Sequence, residues 1–174
     1  MNSFQIENNK ALKAIKQKKR FLENKLKVKL EIISGKIILK GDALSKYEAL
    51  NVLRAIGKGF PIETGLLLLD ENYVFEIINI KALSPRKDLS QVRARIIGRK
   101  GKTLKILEEL ADCNIVLKDN QVYIIGLADN IKNALNGIRK LIQGSRQSST
   151  YSYLERQRKI PEPLDFGLKI KLKR

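Results

Sequence analysis

The sequence predicts an α+β fold made of two tandem copies of a small β-α-α-β-β-α module, followed by a helical, basic tail. Two observations carry that expectation. The first is an internal repeat: sliding the chain against itself by 85 residues sets Arg20-Phe21-Leu22-Glu23 on Lys105-Ile106-Leu107-Glu108 and Gly41 on Gly126. The same register sets Ala49-Leu50-Asn51 on Ala134-Leu135-Asn136, Arg54 on Arg139 and Gly59 on Gly144. An apolar pattern, a glycine after a strand and a helix motif kept in one register mark two copies of one supersecondary unit. The second is length: 174 residues accommodate one ordinary domain or two small ones, and the repeat decides for two. The modules are placed at residues 1–70 and 71–144, leaving 145–174 as the tail.

Element by element, the first copy starts with a short strand near Phe4–Ile6, then helices across Lys10–Leu26. A hairpin follows at Val28–Ile33 and Lys36–Lys40, turning at Ser34-Gly35, and a helix spans Ser45–Ile56. In the second copy Tyr73–Ile80 is rich in β-branched and aromatic residues, as a strand requires. Ser84-Pro85-Arg86-Lys87-Asp88 is a loop, Leu89–Ile97 a short helix and Lys102–Leu110 a second helix. Asn114–Leu117 and Val122–Ile125 pair around Lys118-Asp119-Asn120-Gln121. Asp129–Ile142 closes the copy, with Ile131, Leu135, Ile138 and Ile142 on one helical face. In the tail, Tyr151, Leu154 and Arg158 fall at helical spacing, with Pro161 and Pro163 as stops. That helix is expected to dock on the body or on a partner, with Ile160–Arg174 as a basic, mobile extension.

The segment richest in chemistry is Ile96-Ile97-Gly98-Arg99-Lys100-Gly101-Lys102-Thr103-Leu104-Lys105-Ile106-Leu107. Two glycines enclose two basic residues and run directly into a helix-period apolar pattern. Glycine permits a tight turn and close approach of a phosphate. The following helix start offers N–H groups and a positive dipole end to an anion. This arrangement resembles the clamp of a eukaryotic-type KH domain, which holds about four backbone nucleotides of single-stranded nucleic acid. The order β-α-α-β-β-α is that of the same fold.

In the 85-residue register, Gly98-Arg99-Lys100-Gly101 falls on Lys13-Ala14-Ile15-Lys16. Both glycines are replaced by lysine, so the first copy is expected to keep the scaffold and lose the clamp, and Ala14-Ile15 to form an exposed, partner-facing pair. Its helical region is nonetheless very basic, with Lys10, Lys13, Lys16, Lys18, Lys19, Arg20, Lys25, Lys27 and Lys29. That charge reads equally as a solvated face or as a diffuse RNA-backbone contact.

Composition points the same way. Lys and Arg number 35 against 18 Asp and Glu, a formal net charge of +17. Such an excess attracts polyanions through counterion release and accelerates their encounter. The apolar runs around Leu66–Leu69 and Val122–Ile125 are too short to span a bilayer, and Met1-Asn2-Ser3-Phe4-Gln5 lacks a hydrophobic signal core. The single cysteine, Cys113, rules out an internal disulfide framework. The expectation is a soluble cytoplasmic protein with no membrane partner.

Paired modules of this kind, the first degenerate and the second with an intact clamp, resemble the small-subunit ribosome assembly factors of the partner-of-Nob-one family, in their short archaeal-type form. Three further stretches fit: Arg54-Ala55-Ile56-Gly57-Lys58-Gly59-Phe60, Thr64–Leu69 running into Asp70-Glu71-Asn72-Tyr73, and Gly144 with Thr150–Arg158. The resemblance covers nearly the whole chain and departs at Lys13–Lys16, where archaeal members commonly have a glycine-containing loop. It implies a non-enzymatic role in ribosome biogenesis and rRNA processing, at the 3′ end of small-subunit rRNA near its maturation site. The implied partners are the maturation endonuclease and the α subunit of translation initiation factor two. The implied RNA-binding set is Gly98, Arg99, Lys100 and Gly101 on the backbone, with Lys102, Thr103 and Lys105 beside them. Ile97, Leu104 and the strand Ile115-Val116 would line a shallow apolar groove for bases.

Catalysis finds little support. There is no histidine, so the commonest acid-base group near neutral pH is missing. Cys113 has no visible base, and Glu108-Glu109, adjacent on a helix, point in different directions. Asp70-Glu71 is a weak metal candidate at a turn, and neither a cofactor nor a metal site is expected. A magnesium-dependent RNase, a KH adaptor of an RNA-degradation complex, a general single-strand binder and a protein scaffold remain as alternatives.

Overall fold

The computed structural model describes residues 3–6, 8–33 and 35–158. The basic extension expected over 160–174, with Pro161 and Pro163, lies outside the described residues. The first unit runs β1 (Ser3–Gln5), α1 (Asn9–Gln17), α2 (Lys19–Leu26), β2 (Lys29–Ile33), β3 (Lys36–Lys40) and α3 (Ala43–Lys58). A connector follows: α4 (Ile62–Leu66) and a 3-10 turn at Leu67–Leu69. The second unit is β4 (Tyr73–Asn79), a one-turn α5 (Ile80–Leu83), α6 (Leu89–Ile97), α7 (Lys102–Ala111), β5 (Cys113–Lys118), β6 (Gln121–Leu127) and α8 (Ala128–Ile142), with α9 (Gln147–Gln157) after it. The short α5 was not visible in the sequence pattern, because four residues are too few to show a helical period.

Each unit is a three-stranded antiparallel sheet with helices on one face, in the orders β1-β3-β2 and β4-β6-β5. The strand returning from the hairpin lies in the middle, so β2 and β5 are edges. The 85-residue repeat extends to individual atoms. Glu23 accepts the Leu30 backbone N–H at 2.8 Å, and Glu108 accepts that of Ile115 at 2.9 Å. In both, a helical carboxylate satisfies an edge-strand donor that has no ladder partner. Helices α2 and α7 each end on a left-handed residue, Lys27 (φ 53°) and Asp112 (φ 48°). Helices α3 and α8 end near a positive-φ glycine, Gly59 (φ 120°) and Gly144 (φ 104°).

The repeat also lacks α5 in the first unit, and it breaks again between the first two helices, where the structure corrects the sequence reading. Lys13-Ala14-Ile15-Lys16 is not a loop but the body of α1, and Ile15 is fully buried at 0% exposure. Helix α1 meets α2 at a single non-helical residue, Lys18 (φ −102°, ψ 24°). Before this junction the buried pair Ala11 and Ile15 matches Val92 and Ile96, 81 positions on, whereas beyond it the spacing is 85. The first unit is therefore shorter by the four residues that make the glycine loop. A register fixed by downstream residues hides a deletion upstream, which is why Ala14-Ile15 looked like an exposed substitution.

Two hydrophobic cores lie between sheet and helices, centred on Ile15, Leu22, Ile37 and Leu53 in one unit and on Ile96, Leu107, Ile124 and Ile138 in the other. A third cluster joins the units. Ala55 and Phe60, from the end of α3 and the connector, pack on Tyr123 and Ile125 of β6, with Phe75 and Val116 alongside. Phe75 stacks on Tyr123 (6.1 Å between centroids) and meets Phe60 edge-on (6.2 Å), while Lys58 lies 5.4 Å over the Tyr123 ring. The connector thus covers the outer face of the second sheet. Among the described residues no helix is long and apolar enough to cross a membrane.

Ile15→Asp is expected to collapse the first unit, since an unpaired charge in a closed core costs about 3–5 kcal/mol. Lys16→Asp, one residue on and exposed, should stay within about 0.5 kcal/mol of the parent. Urea denaturation of both variants checks this, and equal stabilities would return Ile15 to the surface.

Candidate nucleic-acid interface

Helix α6 stops because Gly98 takes φ 73°, ψ 177°, a region that is essentially glycine's own. Space demands glycine there as well: a Cβ on Gly98 would overlap the Thr103 hydroxyl. Lys100 (φ 52°) and Gly101 (φ 77°) are both left-handed, and no atom lies within 4 Å of where a Gly101 Cβ would sit. Gly98 is thus required by conformation and packing, whereas Gly101 is favoured by its left-handed conformation alone. The turn leaves Arg99 and Lys100 exposed over the start of α7, whose first turn receives no side-chain cap. Uncapped helix N–H groups beneath two cations form an anion site.

A brace under the loop holds this geometry. Thr103 is only 4% exposed, and its hydroxyl accepts from Gln147 Nε2 at 2.9 Å. The same Gln147 amide donates to the Arg95 carbonyl at 3.1 Å. In return the Arg95 guanidinium donates to the Gly144 carbonyl at 3.0 Å and to that of Ser145. Helix α9 is thereby tied to both helices that carry the loop, and it docks with Leu154 (1% exposed) against Gly137. A Cβ on Gly137 would lie 3.2 Å from Leu154, so α8 and α9 approach closely at that point. The tail helix expected from Tyr151 and Leu154 does dock on the body, and Thr150 is buried beside it.

The sequence-derived site residues divide into groups. Ile97 (38% exposed) and Leu104 flank the loop in sequence, Leu104 partly buried against the second core. Arg99, Lys100, Lys102, Thr103 and Lys105 instead line a hollow of about 1090 Å3 on the α9 side, together with Ile106, Glu109, Gln147 and Tyr151. Two expectations need correction. The Ile115 side chain is 3% exposed and points into the second core, while Val116 packs against the connector cluster. Neither side chain lines a groove, because strand alternation sends one to each covered face; β5 can offer only its backbone edge. Thr103 faces inward as well, beneath the loop. Arg95, Gln147 and Tyr151 were missed as parts of the site; the only signal was the helical spacing of the tail.

The remaining polar candidates serve the fold. Burial pushes the Glu108 carboxyl up, partly offset by the Ile115 N–H it accepts and by Lys105. The Cys113 thiol is pushed up to about 12 by burial and by Asp112, and its Sγ–H donates to the Ala111 carbonyl. Asp70 accepts from the Asn72 N–H (2.9 Å) and side-chain amide (2.8 Å), as a turn does. Among the described residues no group of His, Cys, Asp or Glu could hold a metal ion.

Comparison with known proteins agrees with the fold of the second unit. A family model for the second KH domain of Pno1 proteins, described as a eukaryotic-type KH domain (KH-domain type I), matches residues 74–159. A KH domain-containing protein of Methanocaldococcus jannaschii is 33% identical over 147 residues, covering 80% of this chain and 65% of its own length. The pre-rRNA-processing protein PNO1 of Yarrowia lipolytica is 33% identical over 135 residues, 75% of this chain and 51% of its own. A chain in the crystal structure of the a/eIF2alpha-aDim2p-rRNA complex from Pyrococcus horikoshii is 34% identical and superposes with a TM-score of 0.77, over 90% of this chain and 92% of that one. This chain belongs to the Pno1 family of KH-domain proteins. It spans between half and two thirds of the length of the curated relatives just described. The matched residues 74–159 include α9, which fits its hydrogen bonding to α6 and α7.

Glu108 offers a test of the fold reading against a site reading. A carboxyl raised in the folded state contributes stability below its ordinary value of 4.5, which is lost as pH rises through the folded value. Glu108→Gln keeps an acceptor for Ile115 and removes the buried charge, so it should abolish this pH dependence and be at least as stable as the parent at neutral pH. Glu108→Ala should be less stable than the Gln variant by about 1 kcal/mol. Thermal melts between pH 4 and 8 read both, and a Gln variant weaker than Ala would remove the acceptor role.

Proposed function

We propose that this protein binds single-stranded RNA during assembly of the small ribosomal subunit, holding the 3′ end of small-subunit rRNA near its maturation site. The observation that carries the reading is the glycine turn at 98–101, pinned from beneath by Thr103 and presenting Arg99 and Lys100 at the uncapped start of α7. Phosphates settle on the loop and helix N–H groups, Ile97 and Leu104 contact bases, and the edge of β5 supplies polar backbone groups. The role is non-enzymatic. The first unit is a KH module that has lost its loop, contributing scaffold and positive charge; residues 1–70, 71–144 and 145–174 form the two modules and the tail. The relatives support the setting: one is named for pre-rRNA processing, and another is part of a complex with rRNA and a/eIF2alpha. The maturation endonuclease and the initiation-factor α subunit are the protein partners of this reading.

Replacing Arg99 and Lys100 with Asp puts negative charge where phosphates sit, on an exposed loop that the fold does not need. Affinity for a single-stranded rRNA 3′-end oligonucleotide should drop at least tenfold, about 1.4 kcal/mol, with the melting temperature unchanged. Undiminished binding removes the site.

Paired bases cannot enter the groove, so a blunt duplex of equal length should bind more weakly than the single strand. Both affinities should fall steeply with salt. Equal affinities for the two would reduce the interaction to charge attraction. Among RNAs recovered from cells, precursor small-subunit rRNA ends should be enriched over bulk transcripts; their absence favours an adaptor or general single-strand role.

A further inference from the structure

Arg99, Lys100, Lys102 and Lys105, assigned above to RNA, line the hollow between α7 and α9, with the buried Thr103 at its floor. We propose that this hollow is a second RNA subsite: the strand held at the clamp continues across it, with a base lying on the Tyr151 ring. The inference rests on the clamp reading and extends it to nucleotides the clamp does not hold.

Four features of the hollow point to a polynucleotide. Arg99, Lys100, Lys102 and Lys105 line it against a single carboxylate, Glu109. None of the four cations takes part in a salt bridge among the described residues, although Lys18, Lys19 and Lys40 elsewhere do. Tyr151 and Ile106 add apolar surface, so charge and a ring lie side by side, the pairing used by sequence-tolerant single-strand grooves. About 1090 Å3 exceeds the usual span of small-ligand pockets, about 300–1,000 Å3, which suits a chain in passage rather than an enclosed ligand.

Continuity with the clamp comes from Arg99 and Lys100, which belong to both surfaces. On α7 the two sides are separate: Glu108 faces β5, whereas Lys102, Ile106 and Glu109 turn toward α9. A strand leaving the loop on this side meets Lys102 and Lys105, then the ring. The wall is rigid, because Gln147 is bonded to Thr103 and to the Arg95 carbonyl, and Leu154 is seated one turn beyond Tyr151. An acidic polypeptide would satisfy the cations equally well but gives no reason for the ring beside a phosphate clamp.

The subsite makes affinity depend on RNA length. Single strands of about four nucleotides fill the clamp, and those of about twelve lie within the range of extended single-strand sites. The full chain should bind the longer strand at least tenfold more tightly. Ile106→Ala combined with Tyr151→Ala should remove most of that gain and change the short-strand affinity less than threefold, since neither residue belongs to the clamp. Tyr151→Phe should keep the gain, since stacking needs the ring and not the hydroxyl. The chain has no tryptophan, so Tyr151→Trp supplies a single fluorescence reporter, quenched by the longer strand and not by the shorter. A parent protein without length dependence, or a double variant that keeps it, overturns the proposal; in the latter case the hollow is left to an acidic protein segment. Loss of all RNA binding by the parent would instead overturn the clamp reading, so the two failures are distinguishable.

Discussion

The contact on which this molecule's chemistry depends is the Thr103 side chain packed beneath Gly98. It admits no Cβ above it, so the loop backbone is constrained from beneath where its two cations begin. Thr103 is itself held by Gln147, which comes from a helix 44 residues further along the chain. Arg95 returns the tie to the turn before that helix. A loop that looks like a local motif is therefore set by a long-range bond. Each hydrogen bond contributes only about 1 kcal/mol, but four of them converge on one point. Preorganisation of this kind lowers the ordering cost that binding would otherwise carry.

The two units show how such a scaffold is modified without being lost. Both keep the glutamate that satisfies the edge-strand N–H, the left-handed residue closing α2 or α7 and the positive-φ glycine after α3 or α8. These positions serve the fold, which must satisfy the same backbone groups whether or not RNA is bound. What differs is the four-residue loop, the one-turn α5 that the first unit lacks, and what covers α3 and α8. In the second unit Leu154 of α9 lies over Gly137 of α8; in the first, Gly65 of α4 lies against the Ile56 side chain and the Val52 carbonyl of α3. Helix α4 thus packs on α3 as α9 packs on α8, with the glycine on the covering helix in one unit and on the covered helix in the other. Where the first unit omits the loop, α1 and α2 nearly join, and Lys18 at the junction reaches Glu63 of α4 at 2.6 Å. Part of the basic face read from the sequence is thus neutralised internally.

Much of this was legible because the signals were periodic. Tyr73, Leu89–Ile97 and the apolar face of 129–142 follow helix and strand periods closely, and the observed elements agree to within a residue or two. The repeat was legible because apolar spacing and glycines share a register. Its break was not, since a deletion leaves no residue behind to compare, and Ile15 fits an amphipathic helix as readily as a degenerate loop. The turn at 98–101 was legible for the opposite reason: two glycines enclosing two cations directly before a helical apolar period form a specific local pattern. Ile115 and Val116 were misplaced because alternation says that neighbours face opposite ways but not that both faces of a sheet are covered. The connector that buries Val116 comes from the other unit, and the partner of Thr103 lies in the tail; neither relation has a period to detect.

The covering of that second face has a consequence for how the charge acts. Phe60, Phe75, Tyr123 and Ile125 join the units through packed rings, and apolar burial of this kind resists the hinge motion common where small polar interfaces join domains. The basic helices of the first unit are therefore held at a fixed position relative to the clamp. Their charge cannot hold a phosphate at close range without the loop, but it adds to the potential that an approaching polyanion meets, at distances up to about 10 Å in ordinary salt. In the proposed RNA reading the two units differ in the kinetic step they govern: steering charge acts on the encounter rate, whereas close, desolvated contacts act on residence. That division follows from one unit presenting the glycine loop and the other chiefly positive charge.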